Sequence, residues 1–328
     1  MDHAQGDHLL LVKNLKTYFY IRQGIVRAVD GIDLAIPRRK AVGLVGESGC
    51  GKSATALSIM RLLPSPPGKI VDGEVFYKGK DLLKFSEKGL RKIRGEEISM
   101  VFQDPLTFLN PVFTIGNQIR ETILEHQSAR VRKSEVKKKV VELLERVGIP
   151  AASDVVEYYP HQLSGGMRQR TLIAIALSCN PSLVIMDEPT TALDVTIQRQ
   201  ILELIKGLIE DFDMSLMLIT HDLGVVAEIC DFVYIMYAGR IVEQANVYTI
   251  FERAKHPYTI GLLNSALSIE EFKKKLVGLD GSVPDLMDPP PGCKFHPRCP
   301  LMKGVCSQEE PPLVQVEPGH AVRCWLAE

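Results

Sequence analysis

The sequence has almost no net charge, no long apolar run and few cysteines over most of its length, and each shortage removes a class of function. Lysine plus arginine number 39 against 40 for aspartate plus glutamate, a formal charge of -1, so no global field draws the chain to nucleic acid or to an anionic membrane. No apolar run approaches the roughly 20 residues that span a bilayer. The start, Met1 to Gln5 followed by Gly6-Asp7-His8, has neither the basic nor the apolar region of an export signal. These absences imply a cytosolic protein, attached to a membrane only through a partner. Cysteine is sparse up to residue 292, with only Cys50, Cys179 and Cys230, and then four fall within the last 36 residues. In a reducing compartment a local group of four points to a metal site before disulfides.

What is present is a chain of 328 residues, long enough for about two domains. Gly46-Glu47-Ser48-Gly49-Cys50-Gly51-Lys52-Ser53 fits the phosphate-cradling pattern G-x-x-x-x-G-K-[ST] at every fixed position. Ala41 to Val45 before it reads as a buried parallel strand, and Ala54 to Leu63 after it as a helix that Pro64 stops. Glycines let successive N–H groups face one anion, and the following helix presents its positive end. Lys52 is expected to reach the β/γ-phosphates and the Ser53 hydroxyl to ligate Mg²⁺.

Upstream, Leu9 to Val12 and Ile32 to Ile36 read as strands of a small antiparallel sheet, with Tyr18-Phe19-Tyr20 between them. That aromatic run is either an adenine-stacking platform or sheet packing. Gly73 to Tyr77 followed by Lys78-Gly79-Lys80 reads as a hairpin. Ile98 to Phe102 is a strand ending at Gln103, a position where α/β sheets bind ligands, so Gln103 either touches Mg²⁺ and water or is a loop amide. From Ile115 to Gly148 the pattern is helical, with Val136, Val140, Leu143, Leu144 and Val147 on one face. Arg130, Arg132, Lys133 and Lys137 to Lys139 fall elsewhere and, with Glu135, Glu142 and Glu145 interleaved, read as a solvated surface.

Ser164-Gly165-Gly166 precedes the apolar helix Leu172 to Ser178, a second helix start suited to an anion. Leu183 to Glu188 is an apolar run ended by two carboxylates, the way a central strand delivers acidic groups to a sheet edge. With a phosphate loop in the same chain, Asp187 is the expected Mg²⁺ partner and Glu188 the group that polarises water. Leu216 to Thr220 is a further buried strand, followed by His221, placed to hydrogen-bond a γ-phosphate.

In order, Gly46 to Ser53, Gln103, Leu163 to Gln169, Leu183 to Glu188, Ala192-Leu193-Asp194 and His221 resemble the Walker A, Q-loop, signature, Walker B, D-loop and H-loop of the ATP-binding subunits of ABC transporters. The resemblance implies an α/β P-loop fold: a parallel RecA-like core sheet, an antiparallel β subdomain and a helical subdomain at about 104–175, together spanning 1–255. It implies that Ser164, Gly165 and Gly166 bind the ATP of an opposing subunit in a head-to-tail dimer, and places Gln169 and Asp194 among the nucleotide-binding residues. It makes Phe19 the best placed adenine-stacking residue, with Tyr18 and Tyr20 as alternatives, and Glu188, His221, Lys52 and Gln103 the catalytic set. A finer resemblance, carried by Phe102 to Pro105, Leu109-Asn110-Pro111, Tyr159 to Leu163 and His256-Pro257-Tyr258-Thr259, is to the oligopeptide, dipeptide and nickel importers. It implies an ATPase at the cytoplasmic face of the membrane, with two permease subunits, a second ATPase subunit and an extracytoplasmic solute-binding protein, and no nucleic acid. A soluble ABC ATPase acting on ribosomes or DNA, and a metal-binding regulatory protein, are the rival classes.

The extension 256–328 is unlike the rest: Gly281 to Glu328 holds nine of the twenty prolines and the single tryptophan, Trp325. Such a segment builds little core and needs a staple. Cys293-x5-Cys299-x6-Cys306-x17-Cys324 suits zinc or a [4Fe–4S] cluster, with disulfides third. Resemblance of Gly292-Cys293-x-Phe295-x-x-Arg298-Cys299-Pro300 to the cysteine-bearing tail of some peptide importers tips the expectation to the cluster. Nothing in the sequence places these thiols near the nucleotide.

Overall fold

A computed structural model describes residues 8–127, 132–191, 193–267 and 281–327. Met1 to Asp7 of the expected leaderless start, Arg130 of the basic surface and Ala192 of the D-loop-like stretch lie outside the described residues. The chain divides into two compact units, 1–84 with 218–328, and 85–217. The strand Ser215–Thr220, buried throughout, carries the chain across the second boundary.

The first unit contains an antiparallel sheet in the order Gly24–Pro37, His8–Ile21, Gly68–Tyr77, Lys80–Asp81. Tyr18, Phe19 and Tyr20 do not separate two strands but lie inside the 14-residue strand His8–Ile21. Register shifts along its pairing with Gly24–Pro37 bend the ribbon. The unit also holds a second set of strands. Ala41–Val45, buried at every position, pairs in parallel with Phe232–Tyr237. Phe232–Tyr237 turns back into Arg240–Asn246 as a hairpin, Ala238 (φ 45°) and Gly239 (φ 79°) giving the tight left-handed turn that hairpins favour. His320–Val322 then pairs with Arg240–Asn246, and Val314–Glu317 with His320–Val322. The proline-rich extension thus adds two strands to a sheet it could not build alone.

In the second unit Ile98–Val101 and Leu183–Asp187 pair in parallel. The helical pattern from Ile115 resolves into Ile115–Gln127 and Lys133–Arg146. Ile115, Ile119, Ile123 and Gln127 recur every four residues on the buried side of the first. Val136, Val140, Leu143, Leu144 and Val147 are all buried, as their spacing requires, while Lys137 and Lys138 are exposed. Lys139 is only half exposed: its ammonium donates to Gln127 Oε1 at 2.7 Å.

Candidate functional site

The phosphate loop is built by close backbone packing in the first unit. Ala41–Val45 delivers the chain to Gly46, where a β-carbon would lie 2.2 Å from the Met236 carbonyl oxygen, so no side chain fits. Gly51 stands at φ 111°, and a β-carbon there would lie 2.1 Å from the Ala28 carbonyl oxygen. Lys52–Ile59 follows as a helix, shorter than the run to Pro64 suggests because Arg61 takes a left-handed conformation (φ 49°). Lys52 is buried, its ammonium donating to the carbonyls of Gly46 (2.7 Å) and Glu47 (3.0 Å). Ser48, Gly49 and Ser53 are exposed.

Cys50 is fully buried, and burial pushes its thiol up to about 11, which keeps it a neutral packing group. Its carbonyl accepts the Gly239 N–H at 2.9 Å, locking the loop to the hairpin turn. Glu47 is doubly held. Its N–H donates to the Tyr258 hydroxyl at 2.9 Å, and its carboxylate takes both arms of the Arg298 guanidinium, at 2.6 and 3.0 Å.

Of the three aromatic candidates, Phe19 is half-buried, with Gly68 so close that a β-carbon there would lie 3.1 Å from the ring. The Tyr18 hydroxyl donates to Asp30 at 2.8 Å; burial first, and that carboxylate second, push it up to about 12. Tyr20 is exposed. His221, also exposed, follows the end of Ser215–Thr220, and Asp222 beside it caps the helix Leu223–Ile229.

In the second unit Leu183–Asp187 ends with Asp187 buried and Glu188 half-buried. Glu188 has φ 47°, and its Oε2 accepts from Gln103 Nε2 at 3.0 Å and from the Thr191 hydroxyl at 2.9 Å. The structure therefore brings Gln103 and Glu188 together and adds Thr191, which has no separate signal in the sequence. Ser164 caps the helix Gly165–Leu177, accepting the Met167 N–H at 3.3 Å, and stays exposed beside Gly165. Gln169, grouped with them from the sequence, is buried at 2 % exposure. Asp194 is exposed and caps Val195–Phe212 through the Ile197 N–H at 3.0 Å.

Residues 29–191 match the family described as ABC transporter, and residues 242–306 match the C-terminal region of the oligopeptide/dipeptide transporters. The oligopeptide transport ATP-binding protein AppD of Bacillus subtilis (strain 168) is 52% identical over 320 residues, covering 98% of this chain and 97% of that protein. The chain belongs to the ABC transporter family of ATP-binding proteins. The dipeptide transport ATP-binding protein DppD of the same organism is 47% identical over 322 residues, covering 98% of this chain and 96% of its own. Among solved structures, the ATP-binding cassette MJ0796, a dimer in a post-hydrolysis state with ADP and Pi, superposes with a TM-score of 0.65 at 27% identity, covering 73% of this chain and 98% of that one.

The extension of this ABC protein corrects two expectations. Among the described residues no group of three or more His, Cys, Asp or Glu side chains is arranged to hold a metal ion, so neither the expected cluster nor zinc at Cys293, Cys299, Cys306 and Cys324 is supported by the arrangement of side chains. The segment is stapled by docking. Phe295 is buried at 1 % exposure, its ring 5.2 Å from Tyr237, 5.4 Å from Tyr258 and 5.8 Å from His256. Lys294 donates to Asp30 at 3.1 Å and to the Ala238 carbonyl at 3.0 Å. The second correction concerns place: through Arg298 and Glu47 the cysteine-bearing segment touches the phosphate loop itself. His256-Pro257-Tyr258 and Phe295-x-x-Arg298 were legible as family marks but not as its supports. Among the described residues no helix is long and apolar enough to cross a membrane.

Proposed function

We propose that this chain is the ATP-hydrolysing subunit of a di- or oligopeptide importer, working at the cytoplasmic face of the membrane with two permease subunits, a second ATP-binding subunit and an extracytoplasmic solute-binding protein. The likeness to AppD over nearly the whole of both chains carries the reading. In it, Gly46 to Ser53 hold the ATP phosphates, with Lys52 on the β/γ-phosphates. Ser53 and Asp187 present the oxygen donors that suit Mg²⁺, which neutralises phosphate charge when bound. Glu188 orients and deprotonates the attacking water, and Gln103 and Thr191 hold its carboxylate until then. Phe19 stacks the adenine and His221 meets the γ-phosphate. Ser164, Gly165 and Gly166 bind the nucleotide of the opposing subunit, so the isolated chain has half of each site and hydrolyses ATP slowly. The helical part at about 104–175 passes closure of the dimer to the permease; Leu106, Phe108, Val112 and Phe113, all exposed beyond Gln103, suit that contact.

The cysteines enter this reading as holders of a [4Fe–4S] cluster. One feature of the donor set fits: backbone N–H groups two residues on, at Phe295, Leu301 and Leu326, point to the sulfurs of Cys293, Cys299 and Cys324. Such N–H groups stabilise thiolates, and a bound cluster would supply either a cross-link or one-electron chemistry. Anaerobically purified protein should show a broad visible absorption that bleaches on reduction; a colourless protein sinks this part alone. The transport assignment is tested by purifying the membrane complex and adding binding protein loaded with di- or oligopeptide. Stimulated ATP hydrolysis is expected, and hydrolysis stimulated only by another solute, such as nickel, refutes peptide import.

A further inference from the structure

Of the six residues of the extension from Cys293 to Arg298, Arg298 contacts the phosphate loop directly, and Phe295 packs on Tyr258, which holds the loop in turn. Arg298 is 6% exposed in its side chain and makes a two-armed charged pair with Glu47, the first variable residue of the loop. The guanidinium is itself fixed by the rings of Tyr237 and Phe295, 5.8 and 5.9 Å away, and by a 3.4 Å bond to the Tyr237 hydroxyl. Glu47 also gives its N–H to Tyr258, so both its backbone and its side chain are held from the last third of the chain. Lys294 reaches Asp30, which takes the hydroxyl of Tyr18, next to the aromatic position proposed for the base. A loop that binds phosphate through backbone N–H groups works only if those groups keep their direction before the anion arrives.

We propose that Arg298 and Tyr258 are positioning residues for ATP: they hold Glu47, and through it the first turn of the phosphate loop, in the conformation that receives the phosphates. The proposal rests on reading Gly46 to Ser53 as the ATP site, and Lys52→Ala tests that reading by itself. If purified wild-type chain binds MgATP no better than the Lys52→Ala variant, the site reading fails, whatever Arg298 does.

With that reading in place, equilibrium binding of MgATP to the full chain is compared among wild type, Arg298→Ala, Arg298→Lys, Tyr258→Phe and Arg323→Ala. Arg298→Ala is expected to bind about tenfold more weakly, the scale of a lost charged hydrogen-bond pair. Arg298→Lys keeps the charge and the fold but not the fork, and should fall between the two, as should Tyr258→Phe. In the assembled transporter the KM for ATP should rise by the same factor while kcat stays within twofold. Arg323→Ala is the control, because it removes the extension's bonds to the Ile241 and Pro311 carbonyls and takes no hydrogen bond from Glu47 or Arg298. Affinity within twofold of wild type in both Arg298 variants overturns the proposal. So does an equal loss in Arg323→Ala, since docking in general, not the grip on Glu47, would then set ATP affinity.

Discussion

Replacing Phe295 with alanine asks whether the extension is held by packing or by metal. The side chain is 1 % exposed and surrounded by Tyr237, Tyr258 and His256, with Tyr237 edge-on at 87°. Truncating a buried phenylalanine removes its transfer free energy and leaves a cavity, together about 3–5 kcal/mol. The aromatic walls around it are themselves engaged: Tyr258 through Glu47, Tyr237 through Arg298. They cannot collapse far into the gap, so the upper part of that range, about 4 kcal/mol, is expected. The single tryptophan reports on the event, because Trp325 lies in the same extension and its indole N–H donates to the Glu309 carbonyl at 3.1 Å. Followed by Trp325 fluorescence in urea, a loss of about 4 kcal/mol at a slope of about 2 kcal/mol/M lowers the midpoint by about 2 M. The measurement is made with and without a chelator. A shift below about 0.5 M, roughly 1 kcal/mol, or one that the chelator alone reproduces in the unmutated chain, refutes docking as the main staple.

Three further outcomes are expected. Glu188→Gln keeps the shape and, in its amide oxygen, an acceptor for the Thr191 hydroxyl, but cannot take a proton, so ATP binding should persist while single-turnover hydrolysis falls about 10²- to 10⁴-fold; unchanged turnover removes Glu188 as the base. Asp194→Ala takes away the cap on Val195–Phe212 and should cost about 1 kcal/mol in chemical denaturation, whereas Asp194→Asn should cost little; equal losses in the two variants contradict the capping role. Burial pulls His256 down to about 3 against an ordinary value of 6.5, so between those pH values the unfolded chain holds a proton that the native one does not, and stability falls as pH falls. That limb should carry up to about 1.4 kcal/mol per pH unit from this group. His256→Asn, whose oxygen can still accept the Tyr258 N–H that Nδ1 takes at 3.1 Å, should flatten it, and an acid limb of the same slope in the variant removes His256 as its source.

What the sequence made legible was local in the chain. The glycine spacing of the phosphate loop, the four-residue apolar run before Asp187 and the four-residue recurrence in Ile115–Gln127 are written within one element each, because backbone geometry repeats at short range. The supports of the loop are written nowhere as a pattern. Arg298 and Glu47 stand 251 positions apart, and a single long-range pair leaves no period to read. The cysteine spacing was the strongest signal in the extension and drew attention to metal, while the docking side chains lie between the cysteines, at Lys294, Phe295 and Arg298. Lys294 and Arg298, read as charges, belong on a surface; only the pairing with Asp30 and Glu47 brings them inside.

Glu188 shows the same limit from the other side. The sequence identified it as the residue after a buried strand, but its left-handed conformation (φ 47°) is one that a non-glycine residue adopts at a cost of about 1–3 kcal/mol. A carboxylate serving only to close a strand would gain nothing from that strain. Here the turn brings Thr191, three residues on, back to the carboxylate at 2.9 Å, while Gln103 reaches it from the end of the neighbouring parallel strand. Two donors on one oxygen keep the group aimed, which is the geometry a base must hold before water arrives. Removing a donor while keeping the carboxylate isolates what the turn supplies. Thr191→Val removes one donor and should leave ATP binding intact while slowing hydrolysis by about tenfold, roughly the 1.4 kcal/mol of one hydrogen bond. If hydrolysis is unchanged in that variant, the left-handed turn serves the fold and not the reaction.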